Sequence, residues 1–341
     1  MVAQMLAPRS PNEGIRPFLI QRDLPQLASL IEVAFQPELD RTGNLIVAEM
    51  RQLARAGPLL WLLGASQTML SPLLGGYVWT ANGQLVGNVT LSLENRRRGL
   101  WTISNVAVHP DFRGRGIARQ LMEVALQEAN SKGAQLIALE VRTDNMAAQR
   151  LYRELGFEVY DTTSELSLPA HNWPERTTLP SLPLRKRRSG DGQGLYNLLR
   201  EATPGRAQEV RPIPVHHYRM GMERRLARWL DDLLYRRRSA DWVLEENGPI
   251  VAWLQLTGQY RQAAHRLQIT VHPERRGVVE EELLAAGLYR LNRFPARETV
   301  STVSTSHPEA QQAYRNAGFR TSRLLDQMRL DLRHAEDRTM P

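Results

Sequence analysis

The sequence predicts a two-domain α/β protein in which each half is a mixed, largely antiparallel sheet flanked by helices. The first observation is length: 341 residues at roughly 150 per domain make about two domains. The second is an internal repeat. Asn82-Gly83 recurs 165 residues on as Asn247-Gly248, His109-Pro110 recurs 163 on as His272-Pro273, and Tyr152 with Gly156-Phe157 recurs 162 on as Tyr314 with Gly318-Phe319. Landmarks that keep their order with so little drift indicate a duplicated domain of roughly 160 residues. The third is the change of hydrophobic period along a copy, from helix to strands and back.

The elements of the first copy follow in order. Helical spacing runs from Leu24 to Phe35, with Asp23 as the expected N-cap. Tyr77–Thr80 and Leu85–Leu93 flank Asn82-Gly83, a strong two-residue hairpin signal. Trp101–Val108 is a strand, and Ile117–Lys132 a helix with Ile117, Leu121, Ala125 and Ala129 on one face and Gly133 as its stop. Leu136–Val141 is a strand, Asn145–Leu155 a helix ended by Gly156, and Phe157–Tyr160 a last strand. Between the copies, residues 166–183 contain Pro169, Pro174, Pro180 and Pro183 among polar residues and are expected to be an extended linker. The domains are therefore placed at 1–165 and 184–341.

Composition narrows the function classes. A hydrophobic content of 42% and a charged content of 23% are ordinary globular values and exclude a wholly disordered or collagen-like chain. Without cysteine there is no disulfide framework, thiolate nucleophile or Cys-ligated metal. That composition fits a reducing, cytoplasmic setting. The N-terminal MVAQMLAPRSPNEG has no basic n-region leading into an apolar core, so no signal peptide is expected. Residues 56–93 lack charge, but Gly64, Pro72, Gly75 and Gly76 break the run, and a span needs about 20 predominantly apolar residues. A buried helix leading into a core strand is expected there rather than a membrane span.

The net charge is +8, and of the 44 basic residues only Lys132 and Lys186 are lysines. Arginine suits bidentate contact with phosphate and carboxylate, so anionic partners are expected in general. Arginine runs at 96–98, 185–188 and 236–238 raise a nucleic-acid reading, but no stacking-aromatic motif accompanies them and aromatics are only 6%.

The chemistry is concentrated in Asn105-Val-Ala-Val-His-Pro-Asp-Phe-Arg-Gly-Arg-Gly-Ile-Ala118. A strand ends at Val108 and a helix begins near Ile117, with Gly114 and Gly116 in the tight loop between them. Glycine allows close backbone approach, and the free N–H groups and dipole of a helix start suit a pyrophosphate. Arg113, Arg115 and Arg119 add charge beside the loop, and Arg142, Arg150 and Arg153 follow in the next elements. The loop has neither a GxxxxGK[ST] pattern nor the full G-x-G-x-x-G spacing, because Arg119 takes the last position. ATPase and dinucleotide-binding readings therefore fall away.

This stretch resembles the acyl-CoA loop of the GNAT superfamily of N-acetyltransferases, Gln/Arg-x-x-Gly-x-Gly/Ala, through Arg113, Gly116 and Ala118. The likeness continues through Leu139–Asn145 and Ala148–Phe157 and covers the first copy. It implies two tandem GNAT-like domains, with acetyl-CoA as co-substrate, an amine acceptor and no metal. By that resemblance, the amides of Arg113, Gly114, Arg115, Gly116, Ile117 and Ala118 hold the pyrophosphate. Val106, Ala107 and Val108 align the pantetheine and thioester, Asn145 contacts the cofactor, and Tyr152 donates a proton to the departing thiolate. A phenol of pKa about 10 can serve that role by general acid catalysis; a core tyrosine with a satisfied hydroxyl is the alternative. The strand before the loop, Ile103-Ser104-Asn105-Val106, carries no acid. The base is then Glu94, Glu140 or an ordered water.

The second copy departs at the loop. His272-Pro-Glu-Arg-Arg276-Gly277-Val-Val279-Glu-Glu281 puts Val279 for Gly116 and Glu281 for Ala118, and Glu280, Glu281 and Glu282 bring negative charge. Tyr314 is kept, while His307 stands where Asn145 does. A degenerate partner that shapes an acceptor cleft or a homodimer interface is expected. Tandem copies also resemble the mycothiol synthase branch, but there the intact loop lies in the C-terminal copy, so that substrate is not carried over. Direct transfer by the first copy is the leading reading. A non-catalytic acyl-CoA-binding regulator and an Arg-rich nucleic-acid binder are the alternatives, and the acceptor is left open among small amines, aminoglycosides, peptide N-termini and protein lysines.

Overall fold

A computed structural model describes residues 13–35, 47–48, 50–51, 75–173, 181–213, 230, 232, 236–260 and 264–333. Residues 56–74 of the uncharged stretch, and Pro174 and Pro180 of the proline-rich segment, lie outside the described residues. Among the described residues no helix is long and apolar enough to cross a membrane.

The first copy runs β1 (Gly14–Pro17), α1 (Ile20–Phe35), β2 (Gly76–Ala81), β3 (Gln84–Asn95), β4 (Leu100–Val108), α2 (Ile117–Ser131), β5 (Leu136–Arg142), α3 (Met146–Glu154) and β6 (Glu158–Leu168). Among the described elements the second repeats that order, with the short α5 added. It runs β7 (Arg185–Lys186), α4 (Gly192–Ala202), α5 (Gly205–Val210), β8 (Arg237–Glu245), β9 (Ile250–Gln259), β10 (His265–Val271), α6 (Glu280–Leu291), β11 (Thr299–Ser304), α7 (Pro308–Asn316) and β12 (Arg320–Asp331). The α/β fold class and its two copies of one element order are thus present.

The compact units do not follow a single cut in the sequence. One comprises residues 1–140, 150–158 and 328–341; the other comprises 141–149 and 159–327. Each copy's unit is completed by a segment from the other half of the chain. In the first unit β1 to β4 are antiparallel neighbours and β5 joins β4 in parallel, with Met328–Asp331 beside β5 and the Leu332 N–H bonded to the Gln135 carbonyl at 2.9 Å. In the second, β6 pairs antiparallel with β11, followed in order by β10, β9, β8 and β7. The segment expected as linker from residue 166 opens in the last three residues of β6.

Sequence explains most boundaries. Both hairpins turn on left-handed Asn-Gly pairs, with φ of 52° and 77° at Asn82-Gly83 and 51° and 106° at Asn247-Gly248, the dihedrals that match a twisted two-residue turn. Helix α2 buries Ile117, Leu121, Met122, Ala125 and Ala129, the stripe given by its spacing. One expectation needs correcting: Asp23 is not an N-cap. Helix α1 starts at Ile20, and the buried Asp23 carboxylate accepts from the Leu19 N–H at 2.8 Å and from both Arg16 nitrogens at 2.6 and 2.7 Å. The short polar cap is replaced by a longer clamp on the preceding strand. The second copy builds the same clamp, with Asp191 taking both Arg185 nitrogens at 2.8 Å and the Arg188 N–H at 2.6 Å.

Candidate active site

The glycine loop is open and preformed. Gly114 and Gly116 have φ of 75° and 76°, left-handed values that glycine adopts without steric cost. A Cβ at Gly114 would meet nothing within 4 Å, and one at Gly116 would meet only Gln120 Nε2 at 3.7 Å. The requirement for glycine is therefore one of backbone conformation, and space is left in front of the loop. Gly116 caps α2 without a side-chain hydrogen bond. The helix bonds begin with Gln120 N–H to Gly116 O at 3.1 Å, so Ile117, Ala118 and Arg119 have no acceptor within the helix.

The arginines expected around this loop are engaged by the protein. Arg113 donates through Nε to Val108 O at 3.3 Å and through Nη2 to Ala34 O at 3.0 Å, and its N–H is bonded to Pro110 O at 3.1 Å. It ties the end of α1 to the loop. Arg276 does the same in the second copy, reaching Ala202 O at 3.0 Å. Arg115 bonds Asp111 O at 3.0 Å and lies 4.8 Å from the Phe112 ring centroid. Arg119 and Arg150 both pair with Glu154, and Arg142 pairs with Asp144.

Strand β4 ends beside the loop. Ala107 is buried, and Val106 and Val108 are half-buried. The register of β3 on β4 is Asn88 opposite Ala107, then Thr90 opposite Ser104, so Val89 faces the two residues Asn105 and Val106. This is a β-bulge, and Asn105 in it has φ of 51°. Sequence reading did not find this bulge.

Tyr152 is 6% exposed, its ring centroid 6.1 Å from that of Phe157. Burial pushes its phenol up to about 12, and its hydroxyl has no hydrogen-bond partner among the described residues. The other candidates are spread out. Glu94 is exposed near the β3 end opposite the start of β4, since Leu93 pairs with Trp101 and the loop follows Val108. Glu140 is exposed on β5, two residues past the last recorded β4 pairing at Ala138. Asn145 belongs to the second compact unit, where its Oδ1 accepts from the Ala148 N–H at 3.1 Å and caps α3.

In the second copy the corresponding groups satisfy one another. Helix α6 starts at Glu280, which is 2% exposed. Its carboxylate accepts from the Val279 N–H at 3.2 Å and lies 2.9 Å from His307 Nε2. Burial opposes ionisation of Glu280, but His307 and the Gly277 and Glu280 amides outweigh it and hold the carboxyl below its usual range. A carboxylate already sits at the helix start. Tyr314 is fully buried, donating to Leu267 O at 3.1 Å and accepting from Ser301 Oγ at 2.7 Å. Strand β10 stays in register with β9 from Arg266 to Val271, without a bulge.

Residues 49–157 match the acetyltransferase (GNAT) family. The match lies within the first copy, which is therefore similar to that family over those residues. An alanine N-acetyltransferase of ribosomal protein bS18 from Salmonella typhimurium is 46% identical over 56 residues, 16% of this chain and 38% of that protein. An acetyltransferase of Pectobacterium atrosepticum is 38% identical over 80 residues, 24% of this chain and 55% of that protein. The chain spans 38%, 39% and 55% of the length of three curated relatives it matches and 28% of a fourth. Two solved structures share the fold across almost the whole length. A GCN5-related N-acetyltransferase from Sphaerobacter thermophilus has a TM-score of 0.64 at 18% identity, covering 94% of this chain and 96% of its own. A tandem GNAT protein from the clavulanic acid biosynthesis pathway has 0.60 at 18%, covering 94% and 98%. The GNAT match falls on the copy whose loop is open.

Proposed function

We propose that the chain is an acetyl-CoA-dependent N-acetyltransferase in which the first copy binds acetyl-CoA and performs the transfer. The observation that carries this reading is the contrast at equivalent positions. The first copy leaves a helix start without a side-chain cap and a buried phenol without a hydrogen-bond partner among the described residues, whereas the second fills both from within. Amides from Gly114 to Ala118 would receive the pyrophosphate, with Arg113 bracing the loop from behind. The backbone of Val106, Ala107 and Val108 would run beside the pantetheine, and Asn145 is a further contact implied by the family.

The reaction requires the acceptor nitrogen to attack the thioester carbon, the C–S bond to break and the amine proton to leave. Holding the two reactants in one cleft supplies several kcal/mol through orientation alone. Tyr152 keeps its proton at every ordinary pH and can donate to the sulfur as charge develops there. Burial that raises the phenol also raises a thiol leaving group placed beside it. The proton from nitrogen goes to Glu140, Glu94 or an ordered water. Glu140 is the stronger carboxylate candidate, because the register puts Glu94 near the far end of β4. A peptide presenting an alanine amine is the first acceptor to try, given the relative named for an alanine of ribosomal protein bS18.

Calorimetric titration of the full chain with acetyl-CoA tests the reading. One site per chain is expected. No binding would remove it, two sites would show that the second loop also works, and binding without turnover on any amine would favour a non-catalytic acyl-CoA-binding role.

A further inference from the structure

The β4 bulge is held by a polar cluster that neither the glycine loop nor Tyr152 accounts for. Asn88 and Thr90 lie on one face of β3, two residues apart, and are 1% and 2% exposed within the otherwise apolar buried stretch from Leu85 to Leu91. Asn88 Nδ2 donates to the Asn105 carbonyl at 2.9 Å and approaches Thr90 Oγ1 at 3.4 Å. Asn105 Nδ2 donates to the same Thr90 hydroxyl at 3.4 Å. The three side chains thus close on the one β4 residue with a left-handed backbone. Asparagine tolerates that conformation better than most residues, but it still carries a steric cost that surrounding contacts must offset.

The second copy shows what the strand does without the cluster. By register, Trp253 and Gln255 stand in place of Asn88 and Thr90, and β10 has one residue fewer where the bulge would be. There the strand keeps its register without a bulge, and the Tyr314 hydroxyl donates to its Leu267 carbonyl. In the first copy the bulge, at Asn105 and Val106, lies just before Ala107 and Val108, and the pairing of β4 with β5 ends earlier, at Thr102 and Ala138.

We propose that Asn88 and Thr90 are positioning residues for acyl transfer, locking Asn105 left-handed so that the backbone from Val106 to Val108 is aimed at the thioester; this rests on the acetyl-transfer reading of the first copy. Neither side chain touches the reactants. Their effect is to fix peptide groups whose misplacement by about 1 Å can cost on the order of a hundredfold in rate.

The test uses the full chain and two readouts: CoA release from acetyl-CoA with water or a panel of primary amines, and acetyl-CoA affinity by calorimetry. Asn88→Ala should lower turnover by about tenfold or more with affinity changed less than about threefold, since the pyrophosphate site lies in the loop. Thr90→Val should have a smaller effect of the same kind. Adding Asn105→Gly to Asn88→Ala should restore most of the turnover, because glycine takes positive φ unaided. A general packing defect would not be rescued in this way. Parental turnover in Asn88→Ala, or a loss that Asn105→Gly leaves untouched, overturns the proposal. Should Asn88→Ala fail to fold, Thr90→Val with and without Asn105→Gly decides by the same criterion. A parent chain that neither binds acetyl-CoA nor turns it over overturns the acetyl-transfer reading itself, a different result from an active parent indifferent to Asn88.

Discussion

The two copies keep the same scaffold and differ at the site. Scaffold devices recur almost atom for atom: an aspartate clamping an arginine at the first helix, a histidine ring nitrogen accepting the N–H two residues on at 3.3 Å, and a loop arginine bonded to the end of the first helix. Site devices do not recur. An open helix start in one copy corresponds to a buried carboxylate in the other, a phenol without a hydrogen-bond partner among the described residues to a tethered one, and a bulged strand to one in unbroken register. A duplicated fold conserves what its core requires. Where polar groups have no ligand to meet, burial makes them find partners in the protein.

The largest expected effect comes from exchanging residues between the loops. Gly116→Val puts a β-branched side chain at φ near 76° and should weaken acetyl-CoA binding by about a hundredfold or more while circular dichroism stays native. Val279→Gly should not create a second site, because Glu280 still occupies the helix start. Calorimetric stoichiometry checks both. Unchanged affinity in a folded Gly116→Val chain would break the comparison at its centre.

The tyrosines should separate catalysis from stability. Tyr152→Phe should lower kcat by about ten- to a hundredfold with little change in acetyl-CoA affinity, as expected for loss of a general acid. Tyr314→Phe should leave turnover alone and cost about 1–2 kcal/mol of stability, since Ser301 and Leu267 lose a buried partner. Because burial holds the Tyr152 phenol near about 12, its ionisation should produce no alkaline fall in rate below about pH 11. Equal loss of rate and affinity in Tyr152→Phe would sink the assignment.

Much of this contrast is legible in the sequence, and the remainder has physical reasons for being hidden. Gly114 and Gly116 against Gly277 and Val279 announce the open and closed loops, and the Asn-Gly pairs announce the hairpins, because both depend on local backbone chemistry. The destinations of charged side chains are not local. Arg113 looks like a phosphate ligand until its guanidinium is seen bonded to Ala34, and Glu280 reads only as negative charge at the second loop until His307 is seen to meet it. The exchanged segments that complete each unit are equally silent, since a strand's alternation does not name its neighbour. The bulge left a trace. The repeat offset falls from 165 at Thr90–Gln255 to 164 at Ser104–Gln268 and 163 at Ala107–Thr270, so one residue is lost at the strand turn and one at the bulge.

The smallest expected difference lies in the shared scaffold. Arg185 holds the Asp191 carboxyl below the usual range despite partial burial. Burial opposes ionisation of Asp23 more strongly, but the Arg16 pair and the Leu19 amide overcome it and leave that carboxyl lowered too. A carboxyl with a depressed native pKa stabilises the fold above its unfolded value of about 3.9, and that contribution disappears as pH falls through the native value. Both clamps should therefore be at full strength at neutral pH and fail only in acid below about pH 4. Asp23→Asn and Asp191→Asn should each cost about 1–3 kcal/mol at pH 7, with Asp23 the larger because it is fully buried, and the cost should shrink toward pH 2–3. Denaturant midpoints measured from pH 7 to pH 2.5 would show this. Similar pH slopes for the two variants would confirm that the copies share one clamp, and a cost confined to one of them would show that even the scaffold has diverged.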